Sequence, residues 1–195
     1  VQTCALPIFF SDTVNTGIYI LEPEVFNYYQ KDQAFDFSKD LFPKLLAADK
    51  PLYGFVADGY WSDVGNLEQY RQANYDLLTG RIKLRPPGKE ILPGVWVGEK
   101  TDIHQLARIE PPVVLGEYAC IKQGAEIGAY SVIGDYCVIQ QGASIKKSVL
   151  WNHVYIGNSA EIRGAVLSSR SHIKYGVSVY EGAILGDGCT VNSRS

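Results

Sequence analysis

Residues 115–150 read LGEYAC IKQGAE IGAYSV IGDYCV IQQGAS IKKSV L, spaced here so that each group opens on a large aliphatic residue. The groups open at Leu115, Ile121, Ile127, Ile133, Ile139 and Ile145, then after a step of five at Leu150. Upstream the series begins at Val97, Ile103 and Ile109. Downstream it runs through Ile156 and Ile162, takes a second step of five to Leu167, and continues at Ile173, Val179, Leu185 and Val191. No member is polar. Four residues after each aliphatic stands a smaller residue, among them Ala119, Ala125, Ser131, Cys137, Ala143, Val149, Val166 and Cys189.

A period of six suits neither an α-helix nor a hairpin meander. It suits a coil of short parallel strands joined by tight turns, a hexapeptide β-helix. The large aliphatics fill the interior and the small residues fit beside them at the corners. The glycines that follow the aliphatics, such as Gly98, Gly116 and Gly134, are expected to supply positive φ in the turns. Seventeen hexads at three per coil give five to six coils, a prism about 25 Å long.

The bulk numbers exclude several classes. A net charge of −3 over 195 residues gives no basic footprint for nucleic acid or an anionic membrane. No apolar run has the length of a membrane span. The four cysteines, Cys4, Cys120, Cys137 and Cys189, show no metal-ligand spacing and read as reduced thiols, consistent with a cytoplasmic protein.

The chain divides into four parts. Residues 1–9, which include VQTCALPI, fit nothing that follows and read as foreign or artefactual sequence. Residues 10–80 read as α/β, with strands at 13–21, 52–57 and 60–64. They carry a helix opened by Glu22-Pro23, a helical run at 36–48 broken near Pro43, and a helix over 67–79. Asn66 caps that last helix with Gln69 three residues on, Leu67, Tyr70, Ala73, Leu77 and Leu78 form its apolar stripe, and Gly80 stops it. Residues 81–94 hold three prolines and two glycines and read as a linker. Residues 95–195 are the repeat. It is still in phase at Val191 with no polar cap, so the natural protein is expected to continue. About seventy residues cannot close an α/β sheet alone, so further strands are expected upstream.

Two short stretches can carry chemistry: VNTGIY at 14–19 and GYWSDVG at 59–65. Asp63, before a glycine turn and a capped helix, can hold a hard divalent cation against phosphates. Equally, it can bond the local backbone amides of the turn.

The series SDTVNTGIYILEPEVF, FDFSKDLFPKLL and GYWSDVGNLEQY, followed by hexapeptide repeats, resembles the sugar-1-phosphate nucleotidyltransferases. Within them it looks most like bacterial mannose-1-phosphate guanylyltransferases, some of which carry an appended phosphomannomutase domain. The resemblance covers Phe10 to the end. It implies a partial Rossmann-like nucleotidyltransferase domain followed by a β-helix, whose left hand comes from the resemblance alone. It also implies attack of a sugar 1-phosphate on a nucleoside triphosphate, with pyrophosphate leaving, and leans toward GTP and mannose 1-phosphate. Asp63 matches the family's Mg²⁺-holding carboxylate. Asn15 and Gly17 match its sugar-contacting strand, with Thr16 beside them. Lys39 and Asp40 match recurrent charges or form a solvated helix face. The family's glycine-rich triphosphate loop, G-G-x-G-T-R-L, does not occur in the chain, and its Glu-Lys-Pro sugar site would stand just before Ser11. The isolated chain is therefore expected to be inactive, with the β-helix mediating homo-oligomerisation. Two rivals remain: a hexapeptide-repeat acyltransferase using His104, His153 or His172, and a non-catalytic regulatory subunit with a nucleotidyltransferase-like fold.

Overall fold

The structure, a computed structural model, describes residues 13–192. VQTCALPI, Cys4, Phe10 and Ser11 lie outside the described residues. The chain forms two compact units, one ending at Trp61 and the other beginning at Ser62.

In the second unit every aliphatic of the series lies in a short strand, and the strands stack into three sheets. Face one holds Val95–Val97, Val113–Leu115, Ser131–Ile133, Val149–Leu150, Val166–Leu167 and Ile184–Leu185. Face two begins at Asp102–Ile103 and ends at Thr190–Val191, and face three begins at Arg108–Ile109 and ends at Ser178–Val179. Neighbours pair in parallel and in strict column: Ile127 opposes Ile145, which opposes Ile162. From Leu115 to Ile173 the series is fully buried. Burial of one such side chain contributes about 1.5–3 kcal/mol, so the interior column is the main source of stability. Lys89–Leu92, within the expected linker, is itself a strand and pairs antiparallel with Val95–Val97.

Two details differ from the expected packing. Val149 and Val166 do not take the inward slots. Each step of five omits one corner residue, so the slots pass to Ser148 and Ala165, both 0% exposed. Ser148 is satisfied there, donating to the Lys146 carbonyl at 2.8 Å. Val149 and Val166 instead point outward in register with Val114, Val132 and Ile184, yet Val114, Val149 and Val166 are buried.

The second detail is the glycines. Gly98, Gly116 and Gly134 do not have positive φ. They stand where adjacent coils meet backbone to backbone: a Cβ on Gly98 would lie 2.5 Å from Glu117 N, and one on Gly134 would lie 2.7 Å from the Trp151 carbonyl carbon. The left-handed residue comes later in each corner, at Lys100, Tyr118, Tyr136, His153 and Arg170. That conformation costs about 1–2 kcal/mol for a residue with a Cβ. Stacking offsets part of it: Tyr118 and Tyr136 stack at 4.8 Å, Tyr136 and His153 at 4.9 Å, and the Lys100 ammonium sits 5.1 Å from the Tyr118 ring centre.

Beside face one lies the helix at Leu67–Leu78, next to the outward Val132 and Val149. We label Phe42–Ala47 as α1 and Leu67–Leu78 as α2. The Asn66 side chain accepts from Gln69 N at 2.8 Å, as expected of the cap. The return bond goes from Gly65 N to Gln69 Oε1 at 3.0 Å. Tyr70 and Asn74 line a groove with Val132, Val149 and Trp151, and Leu77 and Leu78 line a second one with Gly94 and Trp96 of the first coil. At about 18 Å, α2 spans close to four coils and runs against their order.

The first unit contains a 3₁₀ turn at Pro23–Tyr28, a π-helical turn at Phe37–Leu41 and α1. The break near Pro43 takes this form: Pro43 sits in the first turn of α1, where its missing N–H costs nothing. Tyr19 packs edge-on against Phe37 at 5.4 Å and Phe42 at 5.2 Å. The strands expected at 13–21, 52–57 and 60–64 do not form among the described residues. A strand needs a neighbouring strand to form a ladder with, and the ladders among the described residues all lie between Lys89 and Val191. Ile18, Tyr53 and Phe55 are instead 77%, 92% and 91% exposed. No helix among the described residues is long and apolar enough to cross a membrane.

Candidate functional site

Asn15, Thr16 and Gly17 share one turn of the first unit and are exposed. Asn15 Oδ1 accepts from Gly17 N at 2.9 Å, a side-chain-to-backbone turn that asparagine makes readily. Asn15 Nδ2 donates to Tyr19 Oη at 2.8 Å, which ties the turn to the aromatic cluster. Gly17 has φ +75°, and nothing lies within 4 Å of where its Cβ would be. The turn is thus held from below and open above, and the Asn15 amide keeps a second N–H for a ligand.

Asp63 belongs to the second unit and is exposed. Its carboxylate makes no hydrogen bond or ion pair among the described residues. The nearby Gly65 amide is taken by Gln69, so local amide capping does not occupy Asp63. No cluster of three or more His, Cys, Asp or Glu able to hold a metal occurs among the described residues. Magnesium is commonly held by one or two carboxylates together with substrate phosphates and water. A lone uncommitted aspartate fits that mode and does not make an all-protein cage.

Asp40 has a structural task. Its carboxylate accepts from Asp36 N at 2.8 Å, while Asp36 Oδ1 accepts from Lys39 N at 2.8 Å. The three histidines are dispersed. His104 Nδ1 accepts from Leu106 N in its own turn. His153 ends the tyrosine stack, and His172 lies 4.4 Å from the Tyr155 ring.

Arg71, Tyr75 and Trp151, which the sequence reading did not single out, hold α2 in place. Arg71 Nη1 donates to the Gly164 carbonyl. Tyr75 Oη donates to the Lys147 carbonyl at 2.9 Å, and Trp151 Nε1 donates to Tyr70 Oη at 3.1 Å. The signal was present in the two steps of five, because Lys147 and Gly164 are the corners they shorten.

Cys120, Cys137 and Cys189 are free thiols. Burial pushes the Cys137 thiol up from 9.0 to about 11, and it donates to the Trp151 carbonyl. The unfolded thiol ionises near pH 9 and the folded one near 11. Its contribution to stability is therefore intact below pH 9 and is lost as pH rises to 11, by about 1.4 kcal/mol per pH unit. Denaturant titrations at pH 8, 9, 10 and 11 should show this slope, and Cys137→Ala should lack it. Equal slopes in the two proteins would remove Cys137 as its source.

The family model described as "EIF2B subunit epsilon LbH domain" matches residues 93–195, more than half of the chain. The chain belongs to this β-helix family. The left hand expected from the motif resemblance comes with that membership. Ahead of the β-helix, a second family model, "Nucleotidyl transferase", matches residues 4–80. A UTP–glucose-1-phosphate uridylyltransferase of Synechocystis is 44% identical over 89 residues, covering 45% of this chain and 23% of that protein. A glucose-1-phosphate adenylyltransferase of Halalkalibacterium halodurans is 40% identical over 74 residues, 35% of this chain and 19% of that one. One from Clostridium perfringens strain SM101 is 27% identical over 178 residues, 84% of this chain and 39% of that one. The chain thus spans less than half the length of these relatives. Their names specify glucose 1-phosphate; mannose 1-phosphate, toward which the motifs leaned, is in none of the three. The acetyltransferase domain of PglB from Neisseria gonorrhoeae overlaps half of the chain and 53% of its own at 20% identity and a TM-score of 0.38, a level that carries no argument about function.

Proposed function

We propose that this chain supplies the sugar-phosphate side of a sugar-1-phosphate nucleotidyltransferase, with glucose 1-phosphate as the favoured sugar. The observation that carries the reading is the nucleotidyl transferase match over residues 4–80, which contains Asn15, Thr16, Gly17 and Asp63. In the proposed reaction a phosphate oxygen of the sugar 1-phosphate bonds to the α-phosphorus of a nucleoside triphosphate. The bond from that phosphorus to the bridging oxygen breaks, and pyrophosphate leaves. Such transfer depends on positioning and charge neutralisation more than on acid–base groups. The Asn15 amide hydrogen-bonds a sugar hydroxyl, Gly17 leaves room for the ring, and Thr16 offers a hydroxyl beside them. Asp63 holds Mg²⁺, which when bound neutralises phosphate charge. The β-helix assembles copies of the protein through surface that α2 leaves open, so light scattering should give a mass above that of one chain.

Calorimetric titration of the 195-residue chain with glucose 1-phosphate tests the binding half of the reading. Saturable binding is expected, with Asn15→Ala weakening it whether or not Mg²⁺ is present. Asp63→Asn should weaken it only in the presence of Mg²⁺, by about tenfold. Failure of the unaltered chain to prefer glucose 1-phosphate over glucose would sink the proposal. No nucleotide sugar should form from UTP, ATP or GTP, because no glycine-rich triphosphate loop occurs in these 195 residues.

A further inference from the structure

Two hexads of the β-helix are one residue short, and both lie where α2 is seated. Lys147 and Gly164 are the left-handed residues of those corners, with φ 52° and 58°. Their carbonyls are the acceptors for the helix, one from Tyr75 and the other from Arg71. One coil earlier Tyr130 holds the same corner position, and its ring packs on Tyr75 at 5.2 Å. A Cβ at Gly164 would sit 2.8 Å from Arg71 Nη1, so a side chain there would have to push the guanidinium aside. The Arg71 side chain is only 14% exposed, and the outlying Glu181 carboxylate lies 3.6 Å from it. A guanidinium held this deeply by a backbone carbonyl is a strong orienting contact.

A short path leads from this contact to Asp63. Arg71 lies in the second turn of α2, two residues after Gln69. Gln69 takes the Gly65 amide and gives its own amide to Asn66. Asp63 is two residues before Gly65, in the same compact unit as the β-helix. The carboxylate is thus referenced to the solenoid through one helix end.

We propose that Arg71 is a positioning residue: seated on the shortened corner at Gly164, it fixes the start of α2 and with it the segment that presents Asp63. The functional value of that position rests on the reading of Asp63 given above. On this view the shortened corners exist to take the helix, and the β-helix is part of the framework of the sugar-phosphate site.

Amide hydrogen exchange on the 195-residue chain tests this. In Arg71→Ala, the amides of Gly65, Gln69 and Tyr70 should exchange about tenfold faster or more. The amides of Glu126 and Ser144, in face three, should not change. Gly164→Ala should reproduce the effect by displacing the guanidinium, and Arg71→Lys, which keeps a donor, should restore most of the protection. Unchanged exchange at Gly65, Gln69 and Tyr70 would overturn the proposal, as would an equal loss of protection throughout the β-helix. Titration of the same variants with glucose 1-phosphate and Mg²⁺ separates the two readings. Binding absent from the unaltered chain removes the role of Asp63 and leaves exchange to decide the role of Arg71. Binding present but insensitive to Arg71→Ala counts against Arg71 alone.

Discussion

Replacing Ile145 with alanine should lower the stability of the β-helix by about 2–5 kcal/mol. Ile145 is fully buried and lies in column between Ile127 and Ile162. Truncation therefore removes contacts to the coil on either side as well as its own apolar burial. The neighbouring coils are locked in register by their ladders and cannot close the void. In a solenoid each coil touches only its neighbours, so a weak coil in the middle uncouples two stacks, whereas one at the end merely frays. Val191→Ala, in the last described coil, should cost much less, because Val191 is only partly buried. Denaturant unfolding followed by circular dichroism compares the two directly. A loss at Ile145 no larger than at Val191 would contradict a continuous interior column.

Gly134→Ala should destabilise by about 1–3 kcal/mol or more, and Gly124→Ala by only about 1 kcal/mol. The order is opposite to what backbone angles alone suggest. Gly124 has φ +66° with nothing within 4 Å of its missing Cβ, so alanine there meets a conformational cost alone. Gly134 has no positive φ, but a Cβ on it would lie 2.5 Å from Asn152 Oδ1, 2.7 Å from the Trp151 carbonyl carbon and 2.9 Å from Asn152 N. The side-chain oxygen can move, but the backbone atoms cannot unless the coils part. That would also strain the bond from Asp135 N to Asn152 Oδ1 at 2.9 Å. Thermal melts of the two variants decide the matter; equal shifts in Tm would mean that the coils have slack at Gly134.

The repeat was legible because its determinant is local. Each large aliphatic marks its own strand, so even the two steps of five kept the phase correct from Val97 to Val191. The direction of Val149 and Val166 was not legible, because a step of five can omit any residue of the corner. Only the ladder between Leu150 and Ile133 shows which one is gone. The short strands expected before residue 65 failed for a related reason. Their β-branched and aromatic residues describe a surface suited to a pleat, but pairing belongs to two segments, and a run read by itself does not name its partner. Helix α2 was readable from Asn66 and Gly80. Its apolar stripe left out Arg71 and Tyr75, because the carbonyls that receive them lie 93 and 72 residues away. For the candidate site, the sequence supplied residue identities through resemblance, and the structure adds that Asp63 is uncommitted and Asn15 is braced by Tyr19.

The placement of α2 also has a consequence for how the molecule is made. A chain emerging from the ribosome completes residues 67–78 before any coil exists. The C-terminal end of that helix shares a groove with the first coil, at Gly94 and Trp96. Its earlier residues meet later coils, at Lys147 and then Gly164. The stretch of chain that each coil meets is thus synthesised before the coil itself. The helix that faces the outward Val132 and Val149 therefore leaves the ribosome ahead of them.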